Sequence, residues 1–367
     1  MRSDQLIVHI AAYFPPHTGG LERVAKTCAD GLSNHGRRVH VITSTLSGLP
    51  HGVTRNGNLT TTVLRGVEFA HFPFAPGFIL AILKLPKNSI LHLHLAHGFF
   101  PEVMFIITKI RKIKYVVHFH LDVAPSGAFG FLFRIYKKIV WGPLLRNATH
   151  IIACANDQIT IMHNKWGIAR EKITVIPNAV SDDFFSKKEY DAPRETFRLL
   201  YIGRLAKQKR VERIVGAMAK LNIPASLTIV GDGEDFETLR SQASQLKLTN
   251  INFVGKKNDI EMQEYHQTHD VFLISSDKEG MPLVVLEAMA GGLPIIATNV
   301  EGLAELVTGT GVMIEEPYEE NFAKAITQLW QNPETLIQLS KKSRAKATLY
   351  GWSSFINALQ AVYREYL

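Results

Sequence analysis

The feature that most constrains this chain is an opening that it uses twice. "LIVHIAAYFPPHTGG" (6–20) is an apolar run ending in a Gly-Gly loop, followed by the helical pattern "LERVAKTCADGLSNHG" and the apolar run "RVHVITS". "FRLLYIGRLAKQKR" (197–210) again runs into a Gly-Arg loop, then into "VERIVGAMAKL" and "SLTIVGDG". Strand, loop, helix and strand at this spacing are parallel βαβ units. The alternation continues through "SILHLHLAH", "YVVHFHLD", "THIIACA" and "KITVIPNAV", then through "INFVG", "DVFLISS" and "LPIIATN". Strands this continuously apolar belong to sheets covered on both faces. The expected fold is therefore α/β, with two doubly wound, Rossmann-like domains at 1–180 and 197–345. The polar stretch 181–196 should link them, and 346–367 should form a last helix. Ligands of such sheets sit beyond the carboxyl ends of the strands, so two domains facing a central cleft would place the chemistry there.

At 367 residues the chain exceeds one ordinary core, which agrees with two domains. Cys28 and Cys154 have no paired spacing, so a disulfide framework is not expected and a reducing cytosol fits. The first apolar run is short and carries His9, unlike a secretory leader, and "FPFAPGFILAIL" (72–83) is too short and proline-broken to span a bilayer. A cytoplasmic location is expected. Charge divides unevenly. Residues 1–180 carry 20 Lys and Arg against 8 Asp and Glu, a net of +12, whereas the remainder carries 21 against 25, a net of −4. The first domain should face an anionic partner.

Candidate chemistry concentrates in the second half. Arg204 lies just past a strand end and Lys209 five residues on, placed to hold a diphosphate by charge-assisted hydrogen bonds of about 1.5–3 kcal/mol each. A solvated basic loop is the plainer alternative. Neither opening contains a Walker loop or a G-x-G-x-x-G fingerprint. In "EGMPLVVLEAMAGGLP" (279–294), Pro282 suits a helix start and Gly291-Gly292 its end, so the backbone from Gly280 through Met281 and Pro282 to Leu283, with N–H donors at all but the proline, surrounds a positive helix end. Glu279 and Glu287 flank that end. Either both acids face water, or they accept hydrogen bonds from a hydroxyl-rich ligand beside the phosphate.

These residues bring a resemblance into view. "EGMPLVVLEAMAGGLPIIAT" resembles the E-x7-E motif of the retaining glycosyltransferases of family four, which have the two-domain GT-B fold. "YFPPHTGGLE", "VVHFHLD", "VIPNAV", "YIGRLAKQKR", "IVGDGE" and "INFVGKK" are similar, in order, to the rest of that family's motifs, from about Leu6 to "WSSFINALQAVYREYL". The resemblance implies a nucleotide-sugar donor and no metal or other cofactor; of the donors, a UDP-sugar is expected before a GDP-sugar as a prior alone. Arg204 and Lys209 would neutralise the departing diphosphate. Glu279 would hold the sugar and Glu287 the ribose, with the 280–283 amides beside them. Gly19 and Gly20 would approach the diphosphate, Val254 and Lys256 the base, and His120 the reacting sugar. Two departures stand out: Ala179 replaces a usual glycine after Asn178, and Arg210 one after Lys209. If position 210 needs a positive φ, arginine there costs about 1 kcal/mol.

The histidines invite a metal reading, because His92 and His94 share one face of a strand, as do His118 and His120, with His97 nearby. Against it, Asp122 is the only neighbouring acid and no H-E-x-x-H occurs. The stretch 127–147 interleaves Phe129, Phe131, Phe133, Tyr136 and Trp141 with Arg134, Lys137, Lys138 and Arg146, and with 72–87 it suggests an interfacial surface for a lipid-linked acceptor on an anionic membrane. A buried amphipathic helix is the alternative. A glycan acceptor also fits, and nucleic acid has no motif to support it. A nucleotide-sugar epimerase, a sugar phosphorylase and a non-catalytic nucleotide-sugar-binding subunit remain the rival functions.

Overall fold

The computed structural model describes residues 5–69, 72–96, 98–121, 135–185 and 195–366. The chain forms two compact units, residues 1–177 with 353–367, and residues 178–352. It leaves the first unit slightly before the boundary expected from composition and returns slightly after it. Both shifts have a local cause. Asn178 is tied to Met281 by its side-chain amide, which donates to the Met281 carbonyl at 2.7 Å, and Val180 pairs with Gly351.

The first unit contains β1 (Ile7–Ile10), β2 (Val39–Ser44), β3 (Gly52–Asn56), β4 (Leu59–Leu64), β5 (Val67–Phe69), β6 (Phe72–Phe74), β7 (Ile90–Leu95), β8 (Tyr115–Phe119), β9 (His150–Ala153) and β10 (Ile173–Val175). Its main sheet has the order β10-β9-β8-β7-β1-β2-β4-β3, parallel except for the β3–β4 hairpin. The helix Gly20–Asn34 covers the sheet with Val24, Ala25, Cys28, Ala29 and Leu32, an i, i+4 stripe set by the sequence. The returning helix Trp352–Tyr366 belongs to this unit and packs closely on that one: a methyl added at Gly31 would lie 2.6 Å from Ile356 Cδ1.

The second unit has β11 (Phe197–Ile202), β12 (Ala225–Val230), β13 (Ile251–Gly255), β14 (Val271–Ile274), β15 (Ile295–Thr298) and β16 (Gly311–Ile314), ordered β13-β12-β11-β14-β15-β16 and wholly parallel. This is the doubly wound order whose strand sequence reverses between its first and fourth strands. The reversal lies between β11 and β14. In the first unit it lies between β1 and β7.

Candidate active site at the sheet switch points

The loops leaving β11 and β14 diverge from neighbouring strands at the switch point, where a doubly wound sheet leaves room for a ligand. These loops carry Arg204, Lys209 and Glu279. The structure joins two of them directly: Lys209 Nζ donates to Glu279 Oε1 at 2.7 Å, and Ser276 Oγ donates to the same oxygen at 2.5 Å. Glu279 is only 6% exposed, so the carboxylate is a built part of the site. Glu287 is buried too, at 2%, within the helix Leu283–Ala290. The alternative of two solvated acids is therefore overturned. Burying carboxylates is costly unless they are paired, which makes both positions deliberate.

Arg204 differs. It is exposed and its guanidinium has no hydrogen bond or ion pair among the described residues. Only its carbonyl is engaged, accepting from the Tyr201 hydroxyl at 3.3 Å. Burial, with Glu279 close by, holds that phenol well above its usual pKa, so it stays a donor. A cation with no hydrogen bond or ion pair among the described residues can receive an anion without breaking an existing bond.

The surrounding backbone is shaped by close approach. Gly231, from "IVGDGE", has φ +140, and a methyl there would meet the Gly203 carbonyl oxygen at 1.9 Å. Gly302 has φ +78, and its methyl would lie 2.0 Å from the Gly280 carbonyl oxygen. No side chain fits at either position, so the loops carrying Arg204 and Gly280 lie directly on glycine backbone. Arg210 does adopt the left-handed conformation, φ 53 and ψ 39, ahead of the helix Val211–Met218. Ser275 Oγ holds this turn by donating to the carbonyls of Lys209 (2.9 Å) and Arg210 (2.8 Å). Asp277 forms ion pairs with Arg210 at 3.2 Å and with Arg213 at 2.8 Å.

Pro282 is the N-cap of the helix Leu283–Ala290, with Gly280 and Met281 buried just before it, and Gly292 at φ +82 follows its end. Val254 lies in β13, and Lys256 just beyond it is exposed, 4.0 Å from Asp232. In the first unit Gly19 precedes and Gly20 begins the helix Gly20–Asn34. A methyl at Gly19 would meet Glu22 Oε2 at 2.0 Å, and Glu22 Oε1 lies 3.0 Å from His17 Nδ1. Glu22, Ser276 and Asp277 were not singled out from sequence. Their signals were present, since Glu22 ends the quoted "YFPPHTGGLE" and the other two are the polar residues directly after an apolar strand.

His120 follows β8, with its carbonyl accepting from Gln158 Nε2 at 3.1 Å. Burial pushes its imidazole pKa down to about 3, so the ring is neutral at physiological pH. Among the described residues, His9, His92 and His94, and likewise His94, His118 and His120, have ring nitrogens within 4.8 Å of one another. His97 and Asp122 lie outside the described residues, as do 127–134 of the aromatic basic stretch. Of its remainder, Trp141 is core, 1% exposed, with Lys137 Nζ 4.5 Å from its ring, so it forms no part of a membrane-facing surface.

Two family descriptions match this arrangement: Glycosyltransferase Family 4 over residues 18–184 and Glycosyl transferases group 1 over residues 182–346. The chain is a two-domain glycosyltransferase of the GT-B fold. An uncharacterized glycosyltransferase of Haemophilus influenzae is 33% identical over 178 residues, a match spanning 47% of this enzyme and 50% of its relative. The O-antigen biosynthesis glycosyltransferase WbnH of Escherichia coli is 27% identical across 80% of the enzyme and 82% of its own length. In fold, the glycosyltransferase matches the sucrose-phosphate synthase of Thermosynechococcus elongatus with TM-score 0.83 at 19% identity, covering 98% of both chains. It matches Anabaena Alr3699/HepE, solved with UDP and glucose, with TM-score 0.81 at 17% identity, covering 98% of this chain and 99% of that one.

Proposed function

We propose that the enzyme transfers a sugar from a nucleotide diphosphate sugar, UDP-sugar before GDP-sugar, to a hydroxyl of a lipid-linked or glycan acceptor with retention of configuration. The observation that carries this reading is that the loops at the second switch point hold exposed Arg204 together with the Lys209–Glu279 pair, whose atoms lie 2.7 Å apart and whose carboxylate is buried. Arg204 and Lys209 take the diphosphate and stabilise its charge as the glycosidic bond breaks, a role in which one preorganised donor is worth about 10²–10³ in rate. Glu279 orients the sugar hydroxyls, Glu287 the ribose, and the backbone from Gly280 to Leu283 the phosphate and sugar. Val254 and Lys256 take the base. From the first unit, His120 is assigned to the sugar and Gly19-Gly20 to the diphosphate. The chemistry assigned to these residues requires no metal ion. The fold shared with HepE, whose complex holds UDP and glucose, supports trying uridine donors first.

The acceptor assignment draws on the first unit's surface. Helices Gly77–Leu83 and Phe100–Arg111 pack together and leave Ile79, Leu80, Leu83, Ile106 and Ile110 exposed beside the exposed Lys84, Lys109 and Lys112. Apolar side chains ringed by lysines suit the headgroup region of an anionic bilayer. No helix among the described residues is long and apolar enough to cross a membrane. We place the enzyme on a cytoplasmic membrane face. Incubation with UDP- and GDP-sugars and polyprenyl-phosphate or glycan acceptors, read by proton NMR of the anomeric signal, tests the reaction. An α-linked product from an α-linked donor is expected. An inverted product, or epimerised donor without transfer, would overturn it.

A further inference from the structure

Five histidines surround the switch point of the first sheet. His9 on β1 is level with His92 on β7, and His94 with His118 on β8; His120 follows two residues later. Burial holds all five rings uncharged, and at His92, His94 and His118 repulsion from the other rings adds to it. A neutral imidazole has one donor nitrogen and one acceptor, and that rule converts the contacts into a relay. His120 Nε2 lies 3.1 Å from His94 Nδ1, and His94 Nε2 lies 3.0 Å from His9 Nδ1. Each contact holds one proton. The three rings therefore have only two consistent arrangements, with every proton on Nδ1 or every proton on Nε2.

The far end decides between them. His9 Nε2 is buried with no hydrogen-bond partner among the described residues. Protons on Nε2 would leave an N–H stranded there, whereas protons on Nδ1 leave only a lone pair, and orphaned buried N–H groups are the rarer kind. A second chain points the same way. The Tyr363 hydroxyl lies 2.6 Å from His92 Nδ1, its sole hydrogen-bond partner among the described residues, and so donates. His92 Nε2–H then donates to His118 Nδ1 at 3.3 Å, and His118 Nε2–H faces Cys154 Sγ at 3.7 Å. The sulfur gives its own proton to the Phe119 carbonyl at 3.6 Å, so toward the imidazoles it accepts, the role that an N–H on His120 Nδ1, 3.9 Å away, also requires of it.

We propose that His94 and His9 are positioning residues that hold His120 as its Nδ1–H tautomer, so that the nitrogen outside the relay, 3.9 Å from Cys154 Sγ, carries the proton. Its use in catalysis rests on the assignment of His120 to the donor sugar; the tautomer itself does not. Long-range nitrogen–proton NMR of the full chain with labelled imidazoles tests it. His9, His94 and His120 should all show the Nδ1–H pattern between pH 6 and 8. His94→Phe should return His120 to a mixture dominated by Nε2–H, the form that free imidazole side chains favour. An Nε2–H pattern for His120 in the unmodified chain overturns the relay, and that spectrum decides even if the variant fails to fold. So does a His120 tautomer unmoved by His94→Phe, or one equivalent of Zn²⁺ binding through His94, His118 and His120. If the tautomers are as stated but His94→Phe turns over donor normally, the relay stands and the assignment of His120 to the sugar falls.

Discussion

Lys209→Met probes the site where structure and function are most tightly joined. Lys209 Nζ lies 2.7 Å from Glu279 Oε1, with the lysine side chain 26% exposed and the glutamate 6%. A fully exposed pair would contribute about 0–1 kcal/mol, and removing one partner of a fully buried pair costs about 3–5 kcal/mol. The lysine is a quarter exposed, and the Ser276 hydrogen bond to Glu279 survives the substitution. The expected cost lies between these limits, at about 2 kcal/mol. For a unit of this size each kcal/mol moves the melting temperature by about 2–4 °C, so the second unit should melt about 4–8 °C lower. Glu279→Gln should cost a similar amount, and the double variant little more than either single one, a coupling of about 2 kcal/mol. Scanning calorimetry of the full chain measures all four proteins. A coupling below about 0.5 kcal/mol would refute the reasoning, because the pair would then behave as a solvated surface contact.

Four further outcomes follow from the same structure. Arg204→Ala should lower the transfer rate about 10²–10³-fold while leaving the melting temperature unchanged, since its guanidinium has no hydrogen bond or ion pair among the described residues; steady-state kinetics with a uridine donor checks the first half and a thermal melt the second. Gly231→Ala, placed 1.9 Å from the Gly203 carbonyl at φ +140, should destabilise the second unit by more than about 2 kcal/mol, measured as a lowered melt. Arg210→Gly should raise that melt by up to about 1 kcal/mol, because left-handed strain at φ 53 outweighs its exposed ion pairs with Glu212 and Asp277. In acid, the unfolded chain binds protons near pH 6.5 that His9 and His120 refuse until about pH 3, so stability present above pH 6.5 is lost as pH falls through that window. At pH 5.5 the loss is about 1.4 kcal/mol for each such histidine, and calorimetry should show the first unit melting earlier than at pH 7.5.

The parallel sheets were legible because most of their strands are short apolar runs, several of them, such as β11, β12 and β15, bounded by Gly, Pro or Asn, and such runs have one stable use in an α/β chain. The β3–β4 hairpin was legible too and went unread. Gly57-Asn58 is a two-residue connection of the kind that closes hairpins, with Gly57 at φ 56, but Thr-rich β4 lacks the apolar continuity of its neighbours. The loop residues of the site could be placed from sequence, since strand ends and cations are local features. What periodicity could not give was burial. Glu287 sits in an apolar helix at a phase compatible with either water or core, and only the packing around Leu283–Ala290 sets it at 2% exposed. The histidine relay was hidden for a different reason: pairing His9 with His94, 85 positions away, needs the strand order, and no spacing within one segment encodes it.

Nucleotide binding at the second switch point carries the whole account, and the most direct measurement is the melting temperature of the enzyme with UDP, GDP and ADP in chelator-treated buffer. At a hundred times its dissociation constant a ligand adds about 2.7 kcal/mol. One nucleotide, UDP, should raise the melt by the corresponding several degrees, and Arg204→Ala should abolish that shift without lowering the unliganded melt. A folded enzyme that responds to none of the three, or equally with and without Arg204, would contradict the assignment of this site.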